Sequence, residues 1–198
     1  MNTVNSLALV AGGSWASGVN LYLTTAGLGI AHRLEWITLP GDMQALAHPV
    51  VIGIAVLLYM VEFFADKVPY IDSAWDSVHT FIRPAGGMAL GYMAMADVGP
   101  ALQYPVALLT GAIALDSHLT KATSRALINT SPEPVTNTVA SVTEDVGVMG
   151  ALFLIIKHPL VITLLVVLFI LVSIIFLTKM FELVKKILAR KKPEPKTS

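Results

Sequence analysis

The sequence contains no cysteine and very little charge. The absence of cysteine excludes disulfides, thiolate metal sites and cysteine nucleophiles. Only 13% of the 198 residues are charged, against about 25% in a typical soluble domain, whereas 55% are hydrophobic. The mean hydropathy is +0.73. These values exclude a disordered chain, a nucleic-acid binder and most soluble enzymes, and they predict an integral membrane protein whose surroundings are the lipid bilayer.

Signal and catalytic motifs are also missing. No Lys or Arg precedes the first apolar stretch, so the basic region of a secretory signal is absent and we interpret this stretch as part of the first membrane helix. The sequence has no GxSxG, HExxH or P-loop pattern. The histidines do not have metal-ligand spacing, so we expect neither a metal nor another cofactor. No reaction class is indicated, and an enzyme acting on lipid stays open as a third interpretation.

Six segments are apolar enough to suggest helices that cross the bilayer, each of which needs about 20 residues. We therefore predict an all-α membrane domain over residues 1–178, followed by a basic cytoplasmic tail over residues 179–198. The third segment is short, about 15 residues, and it either crosses with little tilt or enters the membrane only partly. Helices are expected to start with proline at His48-Pro49, His158-Pro159 and Ser131-Pro132-Glu133. The six segments are Ser6–Ala31, Pro49–Phe64, Pro84–Val98, Leu102–Asn129, Pro132–Ile156 and Pro159–Phe176.

The distribution of basic residues predicts the orientation. If the N-terminus is cytoplasmic, eleven Lys and Arg residues belong to the inner segments, and the outer ones hold only Arg33 and Lys157. Such an excess on one side is typical of cytoplasmic segments. Six helices then place both termini in the cytoplasm. The eleven are Lys67, Arg83, Lys121, Arg125, Lys179, Lys185, Lys186, Arg190, Lys191, Lys192 and Lys196.

A faint internal repeat relates two of the segments. Aligning His48 with His158 gives six identities over residues 48–61 and 158–171, beginning with the shared His-Pro. Apolar helices match often by chance, so coincidence explains the similarity as well as a parallel duplication does.

Polar residues at membrane depth are the strongest functional signal, because they normally face the interior of a helix bundle. Glu144 and Asp145 lie about 18–20 Å along the fifth segment, near the bilayer midplane. Asn137 and Ser141 share a helix face with them. The alternative is that both acids are solvated at a helix end or in an aqueous vestibule.

Three further segments bring polar residues to a similar depth. They are Asn20 with Ser17 on the first, Glu62 on the second and Asp116 on the fourth. Because isolated charges at this depth cost about 2.5–3.5 kcal/mol each, we expect these acids and Asn20 to form one cluster, with Lys121 or Arg125 as counter-charge. Such a cluster could bind protons or coordinate a cation. The neighbouring Asp66 and Lys67 are interpreted as an ion pair at the membrane interface. The predicted substrate or ion site is Asn20, Glu62, Asp116, Glu144 and Asp145, supported by Ser17, Lys121, Arg125, Asn137 and Ser141.

Two stretches carry a family resemblance. VEFFADKVPYIDSAWDSVHTFIRPAGG (Val61–Gly87) and KATSRALINTSPEPVTNTVASVTED (Lys121–Asp145) resemble the small bacterial multi-pass membrane proteins grouped as domain of unknown function 4126. The similarity covers roughly residues 5–180. It implies a multi-pass protein of the bacterial inner membrane, and it implies no activity.

Two functions fit these observations. The first is a small transporter or channel, coupled to protons or to a cation, with Glu144 and Asp145 as carriers. The second is a membrane scaffold or assembly factor without catalysis, whose polar face binds the helix of a partner. In both cases the basic tail is expected to bind anionic lipids, and a homo-oligomer is left open.

Overall fold

The structure is a computed structural model and describes residues 3–130 and 134–190. Within them every regular element is helical: seven α-helices and one 3-10 helix. This confirms the predicted all-α class. The helices are α1 (Thr3–Val19), α2 (Leu21–Arg33), the 3-10 helix (Gly41–Ala47), α3 (Pro49–Ala65), α4 (Pro69–Ala94), α5 (Pro100–Ile128), α6 (Pro134–Lys157) and α7 (Pro159–Arg190).

The first predicted helix is broken at Asn20. This residue has extended backbone angles, φ −148° and ψ 99°, between α1 and α2. Its side-chain oxygen accepts a hydrogen bond of 2.9 Å from the amide of Leu23, which is the arrangement of a helix N-cap. The prediction of one continuous helix over Ser6–Ala31 is therefore wrong, because a polar cap in the middle starts a second helix.

The fourth helix is much longer than the sequence indicated. We expected a short helix starting at Pro84, but α4 starts at Pro69 and contains Pro84 in its interior. Its 26 residues span about 39 Å. The early part was overlooked because its charged residues resemble a loop, and these residues are buried against other helices.

Close approach of helices depends on small residues, as is common in membrane bundles. At the crossing of α4 and α5, a Cβ added to Gly87 would lie 2.5 Å from the Cβ of Ala114. At the crossing of α1 and α5, a Cβ on Gly18 would collide with Ser117 and the backbone of Ala114. These contacts bring α1 and α4 close to α5 and to each other, so that the polar residues of all three helices meet.

Two of the described helices are long and apolar enough to cross a membrane, over Val135–Lys157 and Pro159–Ile187. A third candidate is the 3-10 helix with α3, a pair bent by 68°. This composition indicates a membrane protein, but it does not confirm six spanning helices. The predicted helix start at Ser131-Pro132-Glu133 and the last eight residues, 191–198, lie outside the described residues. The helix α7 continues through the expected boundary between residues 178 and 179.

Candidate functional site

A buried network of charged side chains occupies the space between α3, α4, α5 and α6. Arg83 of α4 is fully buried, and its guanidinium lies 2.7 Å from the carboxylate of Glu62 and 3.5 Å from that of Asp76. It also donates a hydrogen bond of 3.2 Å to the carbonyl of Gly18 and one of 2.8 Å to Nδ1 of His118. Arg83 therefore links three helices to α1.

Lys121 continues the network on α5. Its ammonium lies 3.2 Å from Asp66, 3.4 Å from Glu144 and 3.7 Å from Glu62. It also donates a hydrogen bond of 3.3 Å to the carbonyl of Val19, the last residue of α1. Lys121 thus joins the ends of α1 and α3 to the middle of α6.

Arg125 lies one turn further along α5. Its guanidinium is 3.1 Å from Asp72, 3.7 Å from Asp66 and 3.6 Å from Glu144. It donates to the backbone oxygen of Asn137 at 2.9 Å and to the side-chain oxygen of the same residue at 3.3 Å. Lys121 and Arg125 therefore both lie beside Glu144, where the predicted counter-charge would have to be.

The network contains more carboxylates than basic groups. Within the described chain, Arg83, Lys121 and Arg125 are the bases, and they contact five carboxylates: Glu62, Asp66, Asp72, Asp76 and Glu144. Oε2 of Glu62 and Oδ1 of Asp66 are buried and have no hydrogen-bond partner among the described residues. The cluster therefore has a formal excess of negative charge and free acceptor atoms, both of which favour binding of a positive species.

Asp145 differs from these five acids because its described partners are neutral. Oδ1 accepts a hydrogen bond of 3.1 Å from the side-chain amide of Asn20, and Oδ2 accepts one of 3.0 Å from the hydroxyl of Tyr59. No described basic side chain lies within 4 Å of it. Asp145 is therefore held beside the break between α1 and α2 with no described basic side chain in direct contact, although Lys67 and Lys121 act on it electrostatically from a greater distance.

Two cavities of different character flank the network. The apolar groove, about 740 Å³, lies between α2, α3 and α6 and is defined here by Leu23, Gly27, Trp36, Tyr59, Met149 and Phe153. The polar cleft, about 220 Å³, lies between α4 and α5 and is defined by Asp72, Asp76, Ser77, Thr80 and Arg125. The groove reaches Tyr59, a partner of Asp145, and the cleft reaches Arg125.

The predicted site residues do not all come together. Asp116 accepts a hydrogen bond of 2.6 Å from Ser173 of α7, and no described contact joins it to the network. Ser17 is buried and donates to the carbonyl of Ser14 within α1. Asn137 contacts Arg125, and Ser141 is buried on the same face of α6. Lys121 therefore brings Glu62 and Glu144 together, and Asn20 contacts Asp145 beside them, whereas Asp116 lies apart.

The interpretation of Asp66 and Lys67 as an ion pair is wrong. Asp66 is buried and pairs with Lys121 and Arg125 instead. The ammonium of Lys67 lies 3.0 Å from the ring centroid of Phe63 and donates to the carbonyl of the same residue. Partial burial lowers the pKa of Lys67, which connects α3 to α4. Adjacent residues at a helix end point in different directions, so sequence proximity alone misassigned the partner.

Sequence reasoning missed the contribution of α4. Asp72, Asp76, His79 and Arg83 are all buried, and they follow one another at spacings of three or four residues. That spacing places them on one helical face. The signal was present, but a helix was expected only from Pro84 onward.

The chain is a helical membrane protein by class. Its fold is all-helical, some of its helices have the composition of membrane spans, and an ion network is enclosed among them. The chain belongs to the family described as Domain of unknown function (DUF4126), whose model matches residues 7–179. No curated protein and no solved structure matches the chain.

Proposed function

We propose that this protein is a small secondary transporter that exchanges protons for a cation, with Asp145 as the group that both species share. The observation that carries the proposal is the position of this carboxylate. It contacts Asn20 at the break between α1 and α2, it receives hydrogen bonds only from neutral groups among the described residues, and it follows Glu144 of the acidic network in the chain. In transporters, such helix breaks form ion and substrate sites within the membrane.

The proposal requires six membrane crossings, with α1 and α2 forming one broken span and α3 to α7 the other five. The support is the distribution of side chains. Large apolar residues face outward on helices whose charges are inside, for example Phe81, which is 79% exposed on α4, and Leu108, which is 64% exposed on α5. A bundle with an apolar exterior and a charged interior suits a hydrocarbon solvent, because lipid-facing charge is costly.

A carboxylate in this position can hold either a proton or a cation, but not both. When a cation binds, it displaces the proton of Asp145, which is released to water. Asn20 and Tyr59 keep the carboxylate oriented in both states, because each donates to a different oxygen. A carboxylate has about four lone-pair positions, so two remain for the cargo.

Proton exchange in reconstituted vesicles tests the proposal. Liposomes containing the purified protein are loaded at acidic pH, and a pH-sensitive dye reports loss of the gradient after addition of Na⁺, K⁺ or tetraphenylphosphonium. We expect at least one of these cations to dissipate the gradient with the wild type. Asp145→Asn should lose at least tenfold in rate, whereas Asp116→Asn, which changes a half-buried acid outside the network, should behave as the wild type.

Two results would contradict the proposal. One is a wild type that responds to none of these cations, and the other is Asp145→Asn with the full rate. Either result would favour the second function, a scaffold whose polar side chains serve only to assemble the bundle or to bind a partner. We further propose that the protein lies in the bacterial inner membrane, that both termini are cytoplasmic, and that the basic tail binds anionic lipids.

A further inference from the structure

We infer that the apolar groove takes up a lipophilic monovalent cation, an organic ion with an apolar body and one positive charge. The inference rests on the proposed function, since it assigns a substrate class to the same site. The body would lie in the groove and the charge would meet Asp145 at its inner end.

The shape of the groove indicates an apolar cargo. Its volume of about 740 Å³ falls within the range of 300–1,000 Å³ that is usual for small-molecule sites. Its wall on α6 is formed by Met149, Leu152 and Ile156, which follow Asp145 at four, seven and eleven residues. These spacings keep them on the helical face of the carboxylate. A molecule lying along this wall therefore runs toward Asp145.

The charge at the inner end indicates a cation. Tyr59 lines the groove and donates its hydroxyl hydrogen to Asp145, so the carboxylate lies one hydrogen bond beyond the apolar wall. The rings of Trp36, Tyr59 and Phe153 line the same space. Aromatic faces attract organic cations through their quadrupoles and also pack against an apolar body. A carboxylate without an ion pair, next to aromatic rings, therefore fits a lipophilic cation.

One basic group lines the groove, and it lies at the opposite end. Lys157 is the last residue of α6, twelve residues from Asp145, or about 18 Å along the helix. It would attract an anionic amphiphile at the mouth. The two charged ends thus lead to opposite predictions about the ligand, which makes the inference sharply testable.

The experiment compares two ions of equal shape and opposite charge. Binding of radiolabelled tetraphenylphosphonium and of tetraphenylborate is measured by equilibrium dialysis on the purified full-length protein in detergent, without any gradient. We expect the phosphonium ion to bind and the borate ion to bind at least tenfold more weakly. Asp145→Asn should weaken phosphonium binding at least tenfold, whereas Lys157→Gln should leave it unchanged or strengthen it.

Filling the groove gives an independent readout. Met149→Trp places a larger side chain in the groove and should weaken phosphonium binding at least tenfold. Val146→Trp alters an exposed position of the same helix outside the groove and should have no effect. Both variants should keep the thermal stability of the wild type, because each position is more than half exposed.

Several outcomes would overturn the inference. Equal or tighter binding of tetraphenylborate, lost in Lys157→Gln, would assign the groove to an anion. Competition by added phosphatidylcholine would assign it to a lipid chain, and dissociation of a dimer by Met149→Trp would assign it to a second copy. If Na⁺ or K⁺ drives proton exchange but the phosphonium ion does not bind, the inference fails and the proposed function stands. If the phosphonium ion binds but no cation drives proton exchange in vesicles, the groove is a cation site and the proposed transport function is wrong.

Discussion

Arg83 shows how a strongly charged side chain is accommodated among packed helices. It is fully buried, yet a carboxylate, an imidazole nitrogen and a backbone oxygen surround its guanidinium within 3.2 Å. Three helices supply these partners. A buried charge is tolerated only when it is paired and hydrogen-bonded in this manner.

Removing this charge should be costly. Arg83→Met leaves Glu62 buried with only Lys121 near it, at 3.7 Å. Because an uncompensated buried charge typically costs about 3–5 kcal/mol, we expect a free energy of unfolding lower by about that amount. SDS unfolding of the purified protein measures it. Lys185→Met, at an exposed basic position of α7, is the control and should change the stability by less than about 0.5 kcal/mol. Equal stability of the two variants would contradict the structural importance of the network.

The sequence allowed part of the site to be predicted at this scale. Counting residues from the expected helix starts placed Glu144, Asp145 and Glu62 deep in the membrane. Because a buried acid needs a base, Lys121 and Arg125 were expected beside them. Asp116 satisfied the same count but faces α7. The position of a residue along its helix can be counted from the sequence. Which neighbouring helix its side chain meets depends on contacts between distant parts of the chain, and the sequence does not show these directly.

The break at Asn20 is a local feature with a long-range contact. The side-chain oxygen caps α2, and the side-chain nitrogen reaches Asp145 on α6. Asn20→Ala removes the cap and should lower the stability by about 1 kcal/mol, within a range of about 0.5–2 kcal/mol. Asn20→Ser keeps a good cap but loses the donor to Asp145, and it should remain near the wild type. SDS unfolding distinguishes them, and equal losses would show that the bond to Asp145 stabilises more than the cap.

The crossing of α1 and α5 depends on the absence of a side chain at Gly18. A methyl group there would collide with Ser117 and with the backbone of Ala114, which cannot move aside easily. We expect Gly18→Ala to lower the stability by about 1–3 kcal/mol, as overpacking usually does. Gly150→Ala is the matched control, because nothing lies within 4 Å of its added Cβ, and alanine favours a helix. A thermal unfolding series should therefore show a lower midpoint for the first variant only.

Helix starts were predicted well where proline follows histidine. The helices α3 and α7 begin at Pro49 and Pro159 as expected, and the ring of His48 accepts from the amide of Val50 at 3.3 Å. The same proline rule failed at Pro84. A proline inside a helix loses one backbone hydrogen bond, and packing of α4 on α5 outweighs that loss. Local propensity therefore predicts ends only where tertiary contacts do not oppose it.

At the scale of the whole molecule, three of the basic residues that predicted the orientation lie inside the helix bundle. Arg83, Lys121 and Arg125 are buried within helices, so they do not belong to cytoplasmic loops. Eight basic residues remain on the predicted cytoplasmic side, Lys67 and the seven from Lys179 onward, and two on the outer side, Arg33 and Lys157. This difference still favours cytoplasmic termini, although most of it now comes from one segment.

Reporter fusions check this orientation. A reporter that is active only in the cytoplasm should be active at both termini and inactive when inserted between Leu34 and Ala47. An insertion after Lys67 should be active, since the proposed topology puts the connection between α3 and α4 on the side of the termini. A C-terminal fusion that reports the outside would contradict the topology.

The basic tail should be separable from the bundle. Truncation after Arg190 removes residues 191–198 and leaves every contact of the ion network in place. We therefore expect the expression level to stay the same and the thermal midpoint to change by less than about 2 °C, which corresponds to less than about 1 kcal/mol. A synthetic peptide of residues 179–198 should bind vesicles containing phosphatidylserine more tightly than neutral vesicles. Each basic residue near the surface should contribute about 1 kcal/mol to this difference. A large fall in the midpoint would instead show that the tail supports the fold.

The length of α7 has a mechanical consequence. The 32 residues of α7 span about 48 Å, but its uncharged part, Pro159–Thr178, spans only about 30 Å, which equals the thickness of the hydrocarbon core. If this part crosses the bilayer, the charged end from Lys179 onward emerges from it, and a thinner bilayer would tilt the helix. Because Ser173 of α7 donates to Asp116 of α5, a change in tilt is transmitted to the helix that carries Lys121 and Arg125. The thickness of the bilayer would thereby influence the positions of Lys121 and Arg125 in the buried network.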